Sequence, residues 1–144
     1  MNRKLKKNKN FSPCNIEDND ELFPNGIFEF NISKMIDHIQ DRKNEFPIGQ
    51  IFVAEHQNFV SEHLDESTVN NADLNRPLLV AEISPGRYNV LDGHHRIEKA
   101  KRRGVECLPA FKTSPQVHTL FLTSKESYET YVDYWNEKLK ERCE

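Results

Sequence analysis

Cysteine is scarce and scattered in this 144-residue chain: Cys14, Cys107 and Cys143 stand far apart, with no Cys-x-x-Cys spacing. An odd, dispersed set of thiols argues against a disulfide framework and for reduced cysteines in a cytoplasmic protein. Long apolar runs are also missing, none approaching the ~18–20 residues that cross a bilayer, so no membrane span is expected. Residues 1–10 are polar throughout, which gives no sign of a signal peptide. No internal repeat is present. With 30% charged residues and a mean hydropathy of −0.79, much of the chain must be solvated surface. The length fits one domain with a single core.

The charge is unevenly spread. Arg3, Lys4, Lys6, Lys7 and Lys9 give residues 1–10 a charge of +5, against a net −3 for the whole chain. Residues 1–25 read as a flexible tail, basic and then acidic around 17–21, followed by one domain over 26–144. A basic tail is a possible nucleic-acid contact, but an acidic body is a poor general DNA-binding surface.

The chemistry concentrates in Asn89-Val90-Leu91-Asp92-Gly93-His94-His95-Arg96, running on into Ile97-Glu98-Lys99-Ala100. Tyr88, Val90 and Leu91 are strand-forming types behind a turn signal at Ser84-Pro85-Gly86. Gly93 permits a sharp backbone turn, and Asp92 is the expected N-cap of the helix over 94–103. Lys101, Arg102, Arg103 and Gly104 end that helix in the usual way. A helix start behind a glycine turn offers free N–H groups and a positive dipole end to an anion. His94, His95 and Arg96 add donors, and Arg96, which can grip a phosphate bidentately, should carry much of the affinity. Imidazole protonation implies phosphate affinity rising as pH falls through about 6.5.

The stretch Gly86-Arg87-Tyr88-Asn89-Val90-Leu91-Asp92-Gly93-His94-His95-Arg96, with Ala100 and then Gly104-Val105-Glu106-Cys107-Leu108-Pro109-Ala110, resembles the core of the ParB/sulfiredoxin-like domain. Arg76-Pro77-Leu78-Leu79-Val80 is similar to the strand preceding the motif. The resemblance spans residues 72–112, extending weakly upstream to 48. It implies an α+β fold in which a Gly-x-x-Arg motif opens a helix and holds nucleotide phosphates through Gly93, His94, His95 and Arg96. Members bind DNA, hydrolyse nucleotides, reduce sulfinic acids or phosphorylate serine. The Asp-Gly-His-His-Arg form resembles free serine kinases, which implies a carboxylate acting as base or magnesium partner. Asp92 and Glu55 are the catalytic candidates, with ATP, ADP or CTP and magnesium as cofactors. Sulfiredoxin chemistry needs a cysteine directly after the motif glycine, where this chain has His94. Partition proteins carry a helix-turn-helix region after the domain and usually Glu-Arg at the positions of His94-His95. The 34 residues after Ala110 leave no room for such a region, so specific DNA binding is not expected.

Elsewhere, 26–30 reads as extended, and Asn31 should cap a helix whose apolar stripe is Ile32, Met35, Ile36 and Ile39. A strand is expected over 48–53, then a loop over 57–75 with a short helix near 65–71 capped by Asp65 or Ser67. His56 and His63 with Glu55, Glu62 and Asp65 have no metal-ligand spacing and read as solvated side chains. Strands over 78–83 and 88–91 form a hairpin. Residues 107–111 return as a strand, placed at a sheet edge by Pro109, and Cys107 reads as packing. Thr123-Ser124-Lys125-Glu126 matches a capping box for a C-terminal amphipathic helix over 124–141. Its stripe of Tyr128, Tyr131, Val132, Trp135 and Leu139 must bury itself on its own domain or on a partner subunit. The whole is a small mixed sheet with flanking helices. Three functions follow: a nucleotide-binding module, a magnesium-dependent phosphotransferase or nucleotide hydrolase, and a regulatory or toxin-like interaction protein. In the last the site is vestigial and the C-terminal helix recruits a second copy or another protein.

Overall fold

The computed structural model of the chain describes residues 3–24, 28–56 and 64–142. Leu22–Pro24 (β1) and Glu29–Asn31 (β2) pair antiparallel, and Ile32–Asp41 (α1) follows. Asn31 caps α1 as expected, its Oδ1 accepting from Lys34 N–H at 3.0 Å. Gly49–Phe52 (β3) runs into a 3₁₀ turn over Val53–His56, so the expected strand stops one residue early. Glu66–Asn71 (α2) is capped by Asp65, which accepts from Thr68 N–H at 3.1 Å. Leu78–Ser84 (β4), Arg87–Asp92 (β5), His94–Arg102 (α3), Cys107–Thr113 (β6), Pro115–His118 (α4) and Lys125–Arg142 (α5) complete the chain. Gly26, Ile27, Glu62, His63 and Cys143, which figure in the sequence expectations, lie outside the described residues.

The main sheet has four strands in the order β3-β6-β4-β5, with β4 and β5 the antiparallel hairpin and β4 parallel to β6. This is the mixed α+β architecture expected. Every residue of β4 is buried, because both faces are covered. Leu79, Ala81 and Ile83 meet α1 and α5 on one face, while Leu78 and Val80 meet Ile97 and Ala100 of α3 on the other. The alternation follows from the strand's two-residue period.

Pro109 does not mark an edge, since β6 lies between β3 and β4. The pairing of β6 with β4 begins at Leu78↔Ala110, one residue beyond Pro109, so the missing N–H removes no bond from that ladder. The cap of α5 is shifted as well. Ser124, not Thr123, accepts from Ser127 N–H (3.0 Å), and Thr123 Oγ1 donates instead to Glu29 Oε1 at 2.6 Å. Tyr128, Tyr131, Val132 and Trp135 are buried against the chain's own core, and Leu139 is half-buried.

The described part of the N-terminal segment is a strap along α5. Trp135 Nε1 donates to Arg3 O (2.9 Å), Asn136 brackets Leu5 through both its amide atoms, and Phe11 stacks on Tyr128 with centroids 4.0 Å apart. Arg3 closes the strap with a fork onto Glu82 at 2.8 and 2.6 Å. Composition alone hid this, because the residues that anchor the strap are backbone groups and isolated side chains among lysines.

Candidate functional site

β5 delivers Asp92 to the lip of the sheet, and Gly93 turns the chain with φ +123°. Only glycine fits there. A Cβ would run into the Leu78 side chain and come within 3.2 Å of the Arg96 guanidinium. Asp92 does not cap α3: the N-cap is Gly93, with no side-chain hydrogen bond. The first backbone bond of the turn is Ile97 N–H to Gly93 O at 3.0 Å. The N–H groups of His95 and Arg96 therefore have no intrahelical acceptor, and the positive end of the helix is unscreened by a cap.

The Asp92 carboxylate instead accepts from Arg96 Nη2 at 3.0 Å. Arg96 is buried, and its Nη1 donates to Arg76 O and Pro77 O at 2.8 and 2.6 Å. Burial lowers its pKa from the ordinary arginine value, with Asp92 opposing the shift. The guanidinium that should have carried phosphate affinity is thus largely engaged in pinning the start of β4 to the start of α3.

The two histidines diverge. His94 lies parallel to the Phe23 ring of β1, centroids 6.2 Å apart, and burial lowers its pKa against the pull of Asp92. His95 faces the other way, into a cleft of about 480 Å³ between α2 and the start of α3. Ser67, Thr68 and Asn71 of α2 form one wall; Asp92, Gly93 and His95 form the other, and Arg76 and Asp73 lie along the connecting loop. Arg76 is exposed, and its guanidinium makes no hydrogen bond or ion pair among the described residues.

The α2 wall is tied down by polar contacts and one apolar anchor, Val69. Arg102 holds Glu66 with a fork at 2.7 and 2.9 Å, and Lys99 Nζ donates to the carbonyls of Asn70 and Ala72 at 2.9 and 2.6 Å. Glu21, just before β1, does not line the cleft but feels the charges of Asp92 and Arg76. Burial first and the Asp92 charge second raise its pKa, while Arg76 lowers it.

Glu55 is exposed on the 3₁₀ turn after β3 and does not line the cleft. That turn packs toward α3. Sequence reasoning missed Arg76, the α2 wall and Glu21. Arg76 had a signal, as the last residue before the strand that leads to the motif; α2 was expected as a short helix near 65–71, but nothing in its sequence says which element it faces, and Glu21 lies in polar loop sequence. Among the described residues, no group of three His, Cys, Asp or Glu side chains is placed to hold a metal ion. No helix of the described residues is long and apolar enough to cross a membrane.

No model of a known protein family matches the chain, and no curated protein matches it either.

Proposed function

We propose that this chain is a ParB/sulfiredoxin-like domain that binds the phosphate of a nucleotide or another small phosphate ligand in the cleft at the start of α3. The observation that carries the reading is the cleft itself. A glycine-turned, uncapped helix start, His95 and the exposed Arg76 guanidinium all face one space of about 480 Å³. Backbone N–H groups at a helix start and a bidentate guanidinium are the standard chemistry of phosphate binding. Arg76, not the internally bonded Arg96, supplies the mobile charge. The order of hairpin strand, glycine turn, helix and return strand supports the family assignment.

Turnover is the second reading, favoured by one observation: Asp92 lines the same cleft, where a carboxylate can orient an attacking hydroxyl or hold a phosphate-bound magnesium ion. Glu55 does not line the cleft. The third, interaction-protein reading asked for an exposed Trp135 face, and Trp135 is fully buried.

The test is thermal unfolding with ATP, ADP, CTP, GTP and inorganic phosphate, each with and without magnesium. Ligand at ~100 times its dissociation constant adds about 2.7 kcal/mol, a midpoint rise of roughly 5–10 °C for a domain of this size. The rise should fall by about half or more in Arg76→Ala, the consequence of an affinity loss of about 10-fold or greater. A shift untouched by Arg76→Ala would place the ligand elsewhere.

A further inference from the structure

The cleft does not end at Arg76 and Asp92. Both side chains also border a second pocket, of about 40 Å³, on the side of α1. Its remaining walls are mostly apolar: Ile36 and Ile39 of α1, Pro77, Leu79 of β4 and Phe111 of β6. An apolar cavity of about 150 Å³ takes benzene, so this one accommodates one or two carbon atoms and excludes a ring. An anion-binding rim beside a small, mostly apolar pocket selects for a ligand with charge and hydrocarbon side by side.

The charges at the junction fit that division. Asp92 is engaged by Arg96 at 3.0 Å, which leaves the Arg76 guanidinium to meet an incoming anion. Ile36 is half-buried and Gln40 exposed, so the pocket is reached from the surface beside α1. The polar lining is confined to Gln40, Arg76 and Asp92; against Ile36, Ile39, Leu79 and Phe111 a polar substituent finds no partner and loses hydrogen bonds.

We propose that the ligand of the cleft is a small phosphomonoester whose phosphate meets Arg76 and the start of α3 and whose short aliphatic group fills the Ile36–Ile39–Phe111 pocket. This rests on the phosphate-binding reading given above and narrows it. A nucleobase has no place in this pocket, and a nucleotide would have to lie wholly in the cleft.

The experiment is a ¹H–¹⁵N NMR titration of the full chain with inorganic phosphate, then methyl, ethyl and phenyl phosphate. Burial of each CH₂ contributes about 0.8 kcal/mol, so affinity should rise about 4-fold from methyl to ethyl phosphate and fall again for phenyl phosphate. Ile36→Phe fills the pocket and should erase the alkyl gain while inorganic phosphate binds as before. Gln40→Trp, at the exposed rim, closes the same pocket if Ile36→Phe does not fold. A flat series from inorganic phosphate through phenyl phosphate would overturn the apolar subsite and leave the phosphate site standing. Absence of binding by all four probes would instead remove the phosphate site itself.

Discussion

Acid should destabilise this protein well before its carboxylates titrate, because of one buried histidine. His118, at the end of α4, is completely buried. Its Nδ1 lies 3.0 Å from Thr113 Oγ1 and its Nε2 2.8 Å from Tyr131 OH, which donates to Glu82 O at 3.2 Å. With Tyr131 OH donating to Glu82 O, the neutral ring carries its proton at Nε2, and Nδ1 accepts from the Thr113 hydroxyl, which also lies 3.4 Å from Val80 O. A second proton would place a charge in the core, and the Thr113 hydroxyl would have to turn its own proton to Val80 O to accept from Nδ1. Burial accordingly presses the His118 pKa down to about 3, with the Glu82 charge opposing. In the unfolded chain it titrates near 6.5. Between those two values the unfolded state binds a proton that the native state refuses. Stability contributed by neutral His118 is therefore full above about pH 6.5 and is lost by about 1.4 kcal/mol per unit below it. By pH 4.5 the loss reaches about 2.7 kcal/mol, a large share of the ~5–15 kcal/mol that holds a typical domain together.

Urea unfolding followed by fluorescence of the single tryptophan, Trp135, measures this between pH 7.5 and 4.5. Burial also lowers the pKa of His38, His56 and His94, so the comparison must be made against His118→Gln, which keeps those groups. At pH 7.5 the variant should be less stable by about 1–3 kcal/mol, the cost of disturbed buried hydrogen bonds. On acidification that gap should shrink by about 2.7 kcal/mol. A gap that stays constant to pH 4.5 would refute the buried neutral imidazole.

Other perturbations follow from the same contacts. Arg3→Ala strips Glu82 of its fork and leaves a 5% exposed carboxylate with only Gly86 N–H at 2.8 Å. The cost should be about 2 kcal/mol, below the 3–5 of a fully buried pair, because the Arg3 side chain is 40% exposed. Adding Glu82→Gln should recover part of it in a double-mutant cycle. The same pair holds the Glu82 pKa low, so its contribution is present above about pH 4.5 and is lost on further acidification, as a pH titration of Arg3→Ala against wild type would show. Gly93→Ala combines an unfavourable φ with a collision at Leu78 and should cost about 3 kcal/mol, read as a lower melting point together with lost ligand response.

What the sequence disclosed was local. Asn31 and Asp65 are recognisable caps because the acceptor and its N–H lie three residues apart, and Gly86 and Gly93 sit at positive φ where a turn requires it. The central β4 was readable from Leu78 to Ala81 and Ile83, strand-forming or apolar types that run up to the turn at Ser84-Pro85-Gly86. Asp92 looked like a cap by the same local logic, yet a buried arginine four residues on outbids backbone N–H groups for its carboxylate. The role of Arg96 itself was hidden, since its acceptors are carbonyls of residues 76 and 77, about 20 positions away, and carbonyls carry no sequence signature. The strap over residues 3–14 escaped for a similar reason: Arg3 meets a glutamate 79 residues distant. Pro109 misled because a proline is tolerated inside a sheet wherever its neighbour strand begins one residue later.

The proposed phosphate ligand sits at the start of α3 with the exposed Arg76 as its charge partner. Isothermal titration of the wild type with the nucleotide or phosphate ester giving the largest thermal shift, repeated on Arg76→Ala and Arg76→Lys, tests it directly. Measurable binding is expected in the wild type, with a loss of at least about 10-fold in Arg76→Ala, partial recovery in Arg76→Lys, and all three proteins melting within a few degrees of one another. Equal affinity in wild type and Arg76→Ala, or no heat from any phosphate ligand, would contradict it.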